Sequence, residues 1–409
     1  MKKIDESLIK KGEAIEKVVE PQFKSVDSIR EKNFLKVLIA FQTALLHDSD
    51  FGFTSGYGYN DIGREKVEAI FANIFKAEAA IVRPQIVSGT HAISITLFGL
   101  LKPNDTLVYA SGRPYETGEG IIGIRDIKGS LKDLGIKYAQ FDFREGFNEH
   151  LIEQARVVAF QRSKGYTFKD SITIPQLKEA IVKIREINPK AIIFVDNCYG
   201  EFVEEHEPTE VGADVVVGSL IKNAGGAIAF TGGYVVGREE QINSIASRLT
   251  APGVGKEIGP MLGLTRNILQ GIFFAPLVVS NALKGAIFAS KLFEDEGFEV
   301  KPRYTDKRGD IVQAIKFGNK ELLIAFAQAI QNFSPVDSDA LIEPSPLAGY
   351  SNKILMASGS FIQGSSIELS FDAPLKPPYV GYLQGGVYYE HVKYASLYGL
   401  NYIRKFKSK

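Results

Sequence analysis

Asp196 and Lys222 stand 26 positions apart, each at the end of a run of apolar, β-forming residues. The stretch Asp214-Val-Val-Val-Gly-Ser-Leu-Ile-Lys222-Asn-Ala-Gly-Gly226 reads as a buried strand that delivers Ser219 and Lys222 into a glycine-rich turn. A lysine leaving such a strand can be desolvated, which lowers its pKa and makes the amine a nucleophile toward carbonyls. That is what a Schiff base with pyridoxal phosphate requires, and Ser219, three residues earlier, could offer its hydroxyl to the cofactor phosphate. Ala191-Ile-Ile-Phe-Val-Asp196-Asn-Cys-Tyr-Gly200 is a second buried strand. A carboxylate at the C-terminal end of a strand in an open α/β sheet sits where ligands bind. Asp196 could there keep a pyridinium nitrogen protonated and the ring an electron sink. Alone, Lys222 reads first as a solvated loop lysine; the pairing with Asp196 is what turns the reading toward chemistry.

Strand–Asp followed by strand–Ser-x-x-Lys resembles the aspartate-aminotransferase (fold-type I) superfamily of pyridoxal-phosphate enzymes. Other stretches suit the same site. Ser88-Gly89-Thr90 opens a helix, whose first backbone N–H groups form an anion site; the same residues also serve as a plain N-cap. Tyr115 lies just beyond the strand Thr106–Tyr109, where an aromatic can stack on a planar ring or pack on its own domain. Gln161 follows the strand at 157–160, and the stretch from Gln161 to Tyr166 is expected to line the same crevice. The glycine- and aromatic-rich segment from Phe51 to Arg64 reads as a site loop.

The elements that must hold these residues alternate strand and helix from about residue 80 to 237. That rhythm predicts a mostly parallel sheet with helices on both faces. Helices are expected up to about residue 47, as an arm that grips a second subunit or caps its own domain. A long helical pattern from 257 to 292 contains Pro260 and Pro276. Beyond it the rhythm changes: strand 310–317, helix 321–333, strand 367–371, helix 386–406. The division expected is a helical arm at 1–50, a large domain at 51–294 and a smaller α+β domain at 295–409.

Composition is that of an ordinary globular chain of 409 residues, 45% hydrophobic and 23% charged. Lys plus Arg and Asp plus Glu each number 48, so there is no electrostatic footprint for nucleic acid or an anionic membrane. The single cysteine, Cys198, rules out an internal disulfide and any cysteine-based metal motif. No apolar run approaches the ~20 residues of a membrane span. Met1-Lys-Lys-Ile-Asp-Glu lacks a signal-peptide core, and the basic tail from Arg404 to Lys409 reads as a solvated helix end. The expectation is a cytoplasmic protein.

Over nearly its whole length the chain resembles the aluminium-resistance proteins, a branch related to methionine γ-lyase and cystathionine β-lyase. The carrying stretches are Tyr57-Gly-Tyr-Asn-Asp-Ile-Gly-Arg64, Val87-Ser-Gly-Thr-His91, Gly218-Ser-Leu-Ile-Lys-Asn223, Leu269-Gln-Gly-Ile-Phe-Phe-Ala-Pro276 and Gln363-Gly-Ser-Ser-Ile-Glu-Leu369. The resemblance implies the following roles. Lys222 is the Schiff-base lysine and Asp196 the pyridinium partner, with Tyr115 a further catalytic candidate. Gly89 and Thr90 offer N–H groups to the phosphate, and Ser219 its hydroxyl. A Tyr-x-Arg pair from a neighbouring subunit reaches the phosphate in relatives; here Tyr57 matches the tyrosine and Tyr59 stands in the arginine's place. Ile221 stands where relatives carry a phosphate-binding threonine. Relatives clamp the substrate carboxylate with an arginine from the C-terminal domain, but the stretch 358–378 has none, and Lys376 is its only cation. Lys376, Ser365 and Ser366 are therefore the candidate substrate contacts. The implied protein is a homodimer or homotetramer acting on a small amino acid, a carbon–sulfur lyase working by β- or γ-elimination. Other pyridoxal-phosphate chemistry, or a non-catalytic protein that keeps the cofactor, are the alternatives.

Overall fold

The structure, a computed structural model, describes residues 4–407. Met1 to Lys3 and Ser408-Lys409, the outer ends of the charged start and the basic tail, lie outside the described residues. In chain order the larger elements are α1 (Glu6–Thr43), α2 (Ile62–Ile74), β1 (Ala79–Arg83), α3 (Gly89–Leu100), β2 (Thr106–Tyr109), α4 (Glu116–Ile122), β3 (Lys137–Gln140), α5 (Glu149–Gln154), β4 (Val157–Gln161), α6 (Ile174–Ile187), β5 (Ile192–Asp196), β6 (Val215–Ser219), β7 (Gly233–Gly237), α7 (Glu239–Leu249) and α8 (Thr265–Asp295). They are followed by β8 (Glu299–Lys301), β9 (Gln313–Lys316), α9 (Lys320–Asn332), β10 (Ile354–Ala357), β11 (Ser370–Pro374), β12 (Val380–Gln384) and α10 (Tyr389–Lys407).

The first sheet has the order β1-β7-β6-β5-β4-β2-β3. Strands β3, β2, β4, β5 and β6 run parallel, and β7 is antiparallel to both its neighbours. β4, β5 and β6 are near-continuous apolar runs because both faces of the sheet are covered. Their register sets Gln161 opposite Asp196, and Asp196 opposite Val217. The C-terminal ends of β4, β5 and β6 thus form one rim, where Gln161, Asp196 and Ser219 stand side by side. A second, five-stranded sheet of order β10-β11-β12-β9-β8 is antiparallel throughout. The expected α/β class holds, with a mostly parallel central sheet and a second, antiparallel one.

Several local expectations shift. The N-terminal helices are a single 38-residue helix running through Pro21. α1 packs on α8, α2 and α10 of its own chain, with Lys284 paired to Asp27 at 2.8 Å, although Phe34, Leu35 and Ile39 stay exposed. After the lysine turn only Gly233–Gly237 is strand, because Ala227 at φ +59° and Gly232 at φ +106° take the preceding chain out of an extended path. The strand expected at 367–371 runs instead from Ser370 to Pro374; the Ile367 carbonyl is taken by the N–H of Gly386 rather than by a ladder partner. α8 begins at Thr265 and continues through Pro276. It is long and apolar enough to cross a membrane, but 72% of its most apolar stretch is buried inside the fold, as in a core helix.

Candidate active site

The rim of β4, β5 and β6 opens on a cavity of about 210 Å³. Lys222 enters it from the turn after β6, and Asp196 from the end of β5. Ser88, Gly89, Thr90, Tyr115, Gln161 and Ser219 line the same space, so the sequence-predicted cofactor residues of this chain other than Tyr57 and Tyr59 converge there.

The α3 terminus presents its capped first turn to the cavity. Ser88 is extended, and its hydroxyl caps the helix by accepting from His91 N at 3.0 Å. The N–H groups of Gly89 and Thr90, in the first turn, are left for a ligand. Gly89 packs closely: a Cβ there would sit 3.1 Å from Cys198 Sγ and 3.4 Å from Ser219 Cβ. Ser219 is buried within that cradle.

Lys222 is half-buried, and its ammonium lies 4.1 Å from the centre of the Tyr199 ring. Burial works to lower its pKa, but the acidic groups around it, Cys198, Tyr199, Asp196 and Glu201, outweigh burial and hold it raised. The depression expected of a desolvated lysine is therefore reversed by its neighbours. Burial holds the Asp196 carboxyl above its usual range, partly opposed by Lys222 and by the Cys198 N–H, which donates to Oδ1 at 3.1 Å.

Tyr115 is held firmly. Its backbone N–H donates to Gln161 Oε1 at 2.7 Å, its hydroxyl meets that of Tyr350 at 2.9 Å, and its ring meets Tyr166 edge-on at 5.3 Å. The Gln161 amide is thus occupied in fixing the Tyr115 backbone. Across the cavity the loop before β11 supplies Ser365 and Ser366, and the second sheet supplies Ser370, Asp372 and Gln384. Tyr199, Tyr350 and Asp372 were not singled out in the sequence. Tyr199 carried one signal, its place three residues after Asp196; its φ of +72° turns its ring beneath the lysine.

Lys376 does not line this cavity. It borders an adjoining one of about 400 Å³ that shares Tyr115, Gln161 and Tyr166 with the first. No arginine lines the Lys222 cavity among the described residues. Arg64 donates to the carbonyls of Gly58 (2.8 Å) and Gly259 (3.2 Å), Arg113 pairs with Glu119, and Arg266 lies near Asp48. Tyr57 and Tyr59 face outward, 71% and 64% exposed, on a loop pinned by Arg64 and by the Gly259 N–H donating to the Tyr57 carbonyl at 2.9 Å.

Behind the lysine turn, Tyr234 Oη donates to Glu201 Oε1 at 2.9 Å, while Glu201 Oε2 is buried without a partner. Burial pushes the Glu201 carboxyl from its ordinary 4.5 up to about 8. The folded protein therefore holds a proton that the unfolded chain releases, and stability falls as the pH rises from about 4.5 to 8. Glu201→Gln should remove that contribution, raising the melting temperature at pH 8 more than at pH 5. Thermal melts of both proteins at the two pH values check this; an equal difference at both would refute it.

Taken together, the N–H and hydroxyl cradle at Gly89, Thr90 and Ser219, the buried carboxyl of Asp196, the amine of Lys222 and the ring of Tyr115 suit a planar, phosphorylated heteroaromatic aldehyde. The sequence pattern of the methionine gamma-lyase family matches residues 8–403. The uncharacterized protein YnbB of Bacillus subtilis (strain 168) is 47% identical over 381 residues, 91% of this chain and 90% of that protein. A carbon-sulfur lyase involved in aluminum resistance from Clostridium novyi NT superposes with a TM-score of 0.92 at 45% identity, over 97% of this chain and 96% of its own. The pyridoxal-5'-phosphate dependent protein YhfS from Escherichia coli shares the fold, with a TM-score of 0.61 at 19% identity over 92% of this chain and 96% of its own.

Proposed function

We propose that this chain, which belongs to the methionine gamma-lyase family, is a pyridoxal-phosphate-dependent carbon–sulfur lyase acting on a sulfur-containing amino acid. The observation that carries the reading is that Lys222, Asp196 and the open N-terminus of α3 face one cavity.

In that cavity the N–H groups of Gly89 and Thr90 and the Ser219 hydroxyl would hold the cofactor's phosphate. Asp196 would pair with its ring nitrogen, Tyr115 would cover its ring, and the Lys222 amine would hold its aldehyde carbon. When bound, the cofactor supplies an electron sink that lets a carbanion form at an amino acid's Cα. Lys222, once its amine is free, takes the Cα proton. Departure of a thiolate from Cβ, or from Cγ after one further proton transfer, breaks the carbon–sulfur bond. Lys222 and Tyr115 are the groups that can move that further proton. Uptake of water then yields a thiol, ammonia and a 2-oxo acid.

Tyr57 and Tyr59, exposed on a braced loop, suit a role in the cavity of a second copy, and a homodimer or homotetramer follows from that reading. A panel of S-substituted cysteines and homocysteines, incubated with cofactor-loaded protein, tests the reaction. Thiol and 2-oxo acid should appear in equal amounts. A 2-oxo acid without thiol would mean transamination, and no product from any member would refute the lyase reading.

A further inference from the structure

A second cavity, of about 420 Å³, lies between α1, α8, the start of α6 and the chain that leads from β8 to β9. It shares no residue with the Lys222 cavity. Arg308 lines it and is only 8% exposed. Its Nη2 donates to Gln313 Oε1 at 2.7 Å, while Nε and Nη1 are buried without a hydrogen-bond partner. Gln22, on the α1 side of the same cavity, has a buried Oε1 that is unpartnered too.

A guanidinium is charged and carries five donors, so burying it without a counter-ion is costly. The carboxylates that line the cavity are engaged elsewhere. Glu204 accepts from Arg162 and from the Ile174 N–H, Glu205 pairs with Lys32, and Asp306 accepts from the Arg303 N–H. Burial pulls the Arg308 guanidinium down to about 10, against the opposing pull of Asp310, Asp306 and Asp170. Water could accept from its free N–H groups but would leave the charge uncompensated. A ligand carboxylate supplies both the acceptor and the charge. Gln22 asks the reverse: its amide oxygen needs a donor, and the three carboxylates lining the cavity favour a cationic one. Val26, Ile29, Val203, Leu283 and Ile287 give the cavity an apolar side, which suits an aliphatic body. An α-amino acid with an aliphatic side chain carries all three features in one small molecule.

We propose that this cavity is a second ligand site, which takes a free aliphatic α-amino acid with its carboxylate on Arg308 and its ammonium at Gln22. The site stands apart from the Lys222 chemistry and does not rest on the lyase reading.

Calorimetry with L-leucine, 4-methylpentanoate and 3-methylbutylamine tests it, since each analogue lacks one charged group of leucine. The native, cofactor-loaded protein should bind leucine at least about 10-fold more tightly than either analogue, the effect of one hydrogen bond to a charged group. Lys222→Ala should bind leucine with an unchanged Kd. Arg308→Met, checked by its melting temperature, should weaken that binding about 10-fold or more. If Arg308→Met does not fold, Ile29→Trp, which fills the apolar side and leaves the arginine in place, should abolish binding instead. No leucine binding by the native protein overturns the proposal. So does leucine binding that survives Arg308→Met or Ile29→Trp at the native Kd, or that is lost with Lys222→Ala. Equal Kd values for leucine and 4-methylpentanoate overturn the amino-acid class, because the ammonium would then find no partner at Gln22.

Discussion

Replacing Lys222 with alanine is expected to abolish the cofactor's aldehyde-bound absorbance and to cut thiol release by at least ~10³-fold. The expectation follows from the surroundings of the side chain. Lys222 lies half-buried over the Tyr199 ring in the cavity that holds Asp196, and no other lysine lines that cavity among the described residues. The alanine variant would keep its cradle at Gly89, Thr90 and Ser219, so it should still retain cofactor without a covalent bond. Small primary amines added to the solution should restore part of the rate, because the missing group is an amine and the space for it remains. Absorbance, turnover and amine rescue separate this outcome from unfolding. Unchanged turnover would remove Lys222 from the chemistry.

The second large effect is structural. The turn that carries Lys222 rests backbone to backbone on α8. A Cβ on Gly225 would lie 1.5 Å from the Leu220 carbonyl oxygen, one on Gly226 2.2 Å from the Gly271 carbonyl oxygen, and one on Gly271 2.4 Å from that of Gly225. The obstructing atoms are main chain, so a side-chain rotation cannot relieve them. Gly225→Ala should destabilise the fold by about 3 kcal/mol or more and loosen cofactor binding with it. Urea denaturation and cofactor content measure the two effects. A variant that melts within about a degree of the native protein, with full cofactor content, would show that the turn can move. The contact also gives a physical reason for Gly271 within Leu269-Gln-Gly-Ile-Phe-Phe-Ala-Pro276, a stretch used in the sequence only as a mark of resemblance.

The two sheets differ in how far their contributions could be read in advance. On the parallel sheet, each residue of interest follows directly on an apolar run, as Asp196 follows 192–195 and Lys222 follows 215–221. Adjacent parallel strands in register bring such ends to one rim, so finding the strands was nearly equivalent to finding the residues. The cap at Ser88 was legible for the same local reason, since a serine before a helical run marks an N-terminus. Lys376 shows the limit. The absence of arginine from 358–378 pointed to its single cation, but the turn after β11 directs that lysine to the adjoining cavity.

Taken by itself, the chain's order of residues determined the α/β class, the lysine–aspartate pair and the serine-capped helix end. All three depend on apolar periodicity and on residue types at strand and helix termini, which act over a few positions. Tertiary structure alone decided what faces them. Tyr199 meets Lys222 through a left-handed backbone turn, Gly225 and Gly226 meet Gly271 across some 45 residues of chain, and Asp372 reaches the cavity from the antiparallel sheet 150 positions after Lys222. No local pattern encodes those meetings, because they arise only when separate elements pack and their buried groups must find room, partners or a ligand.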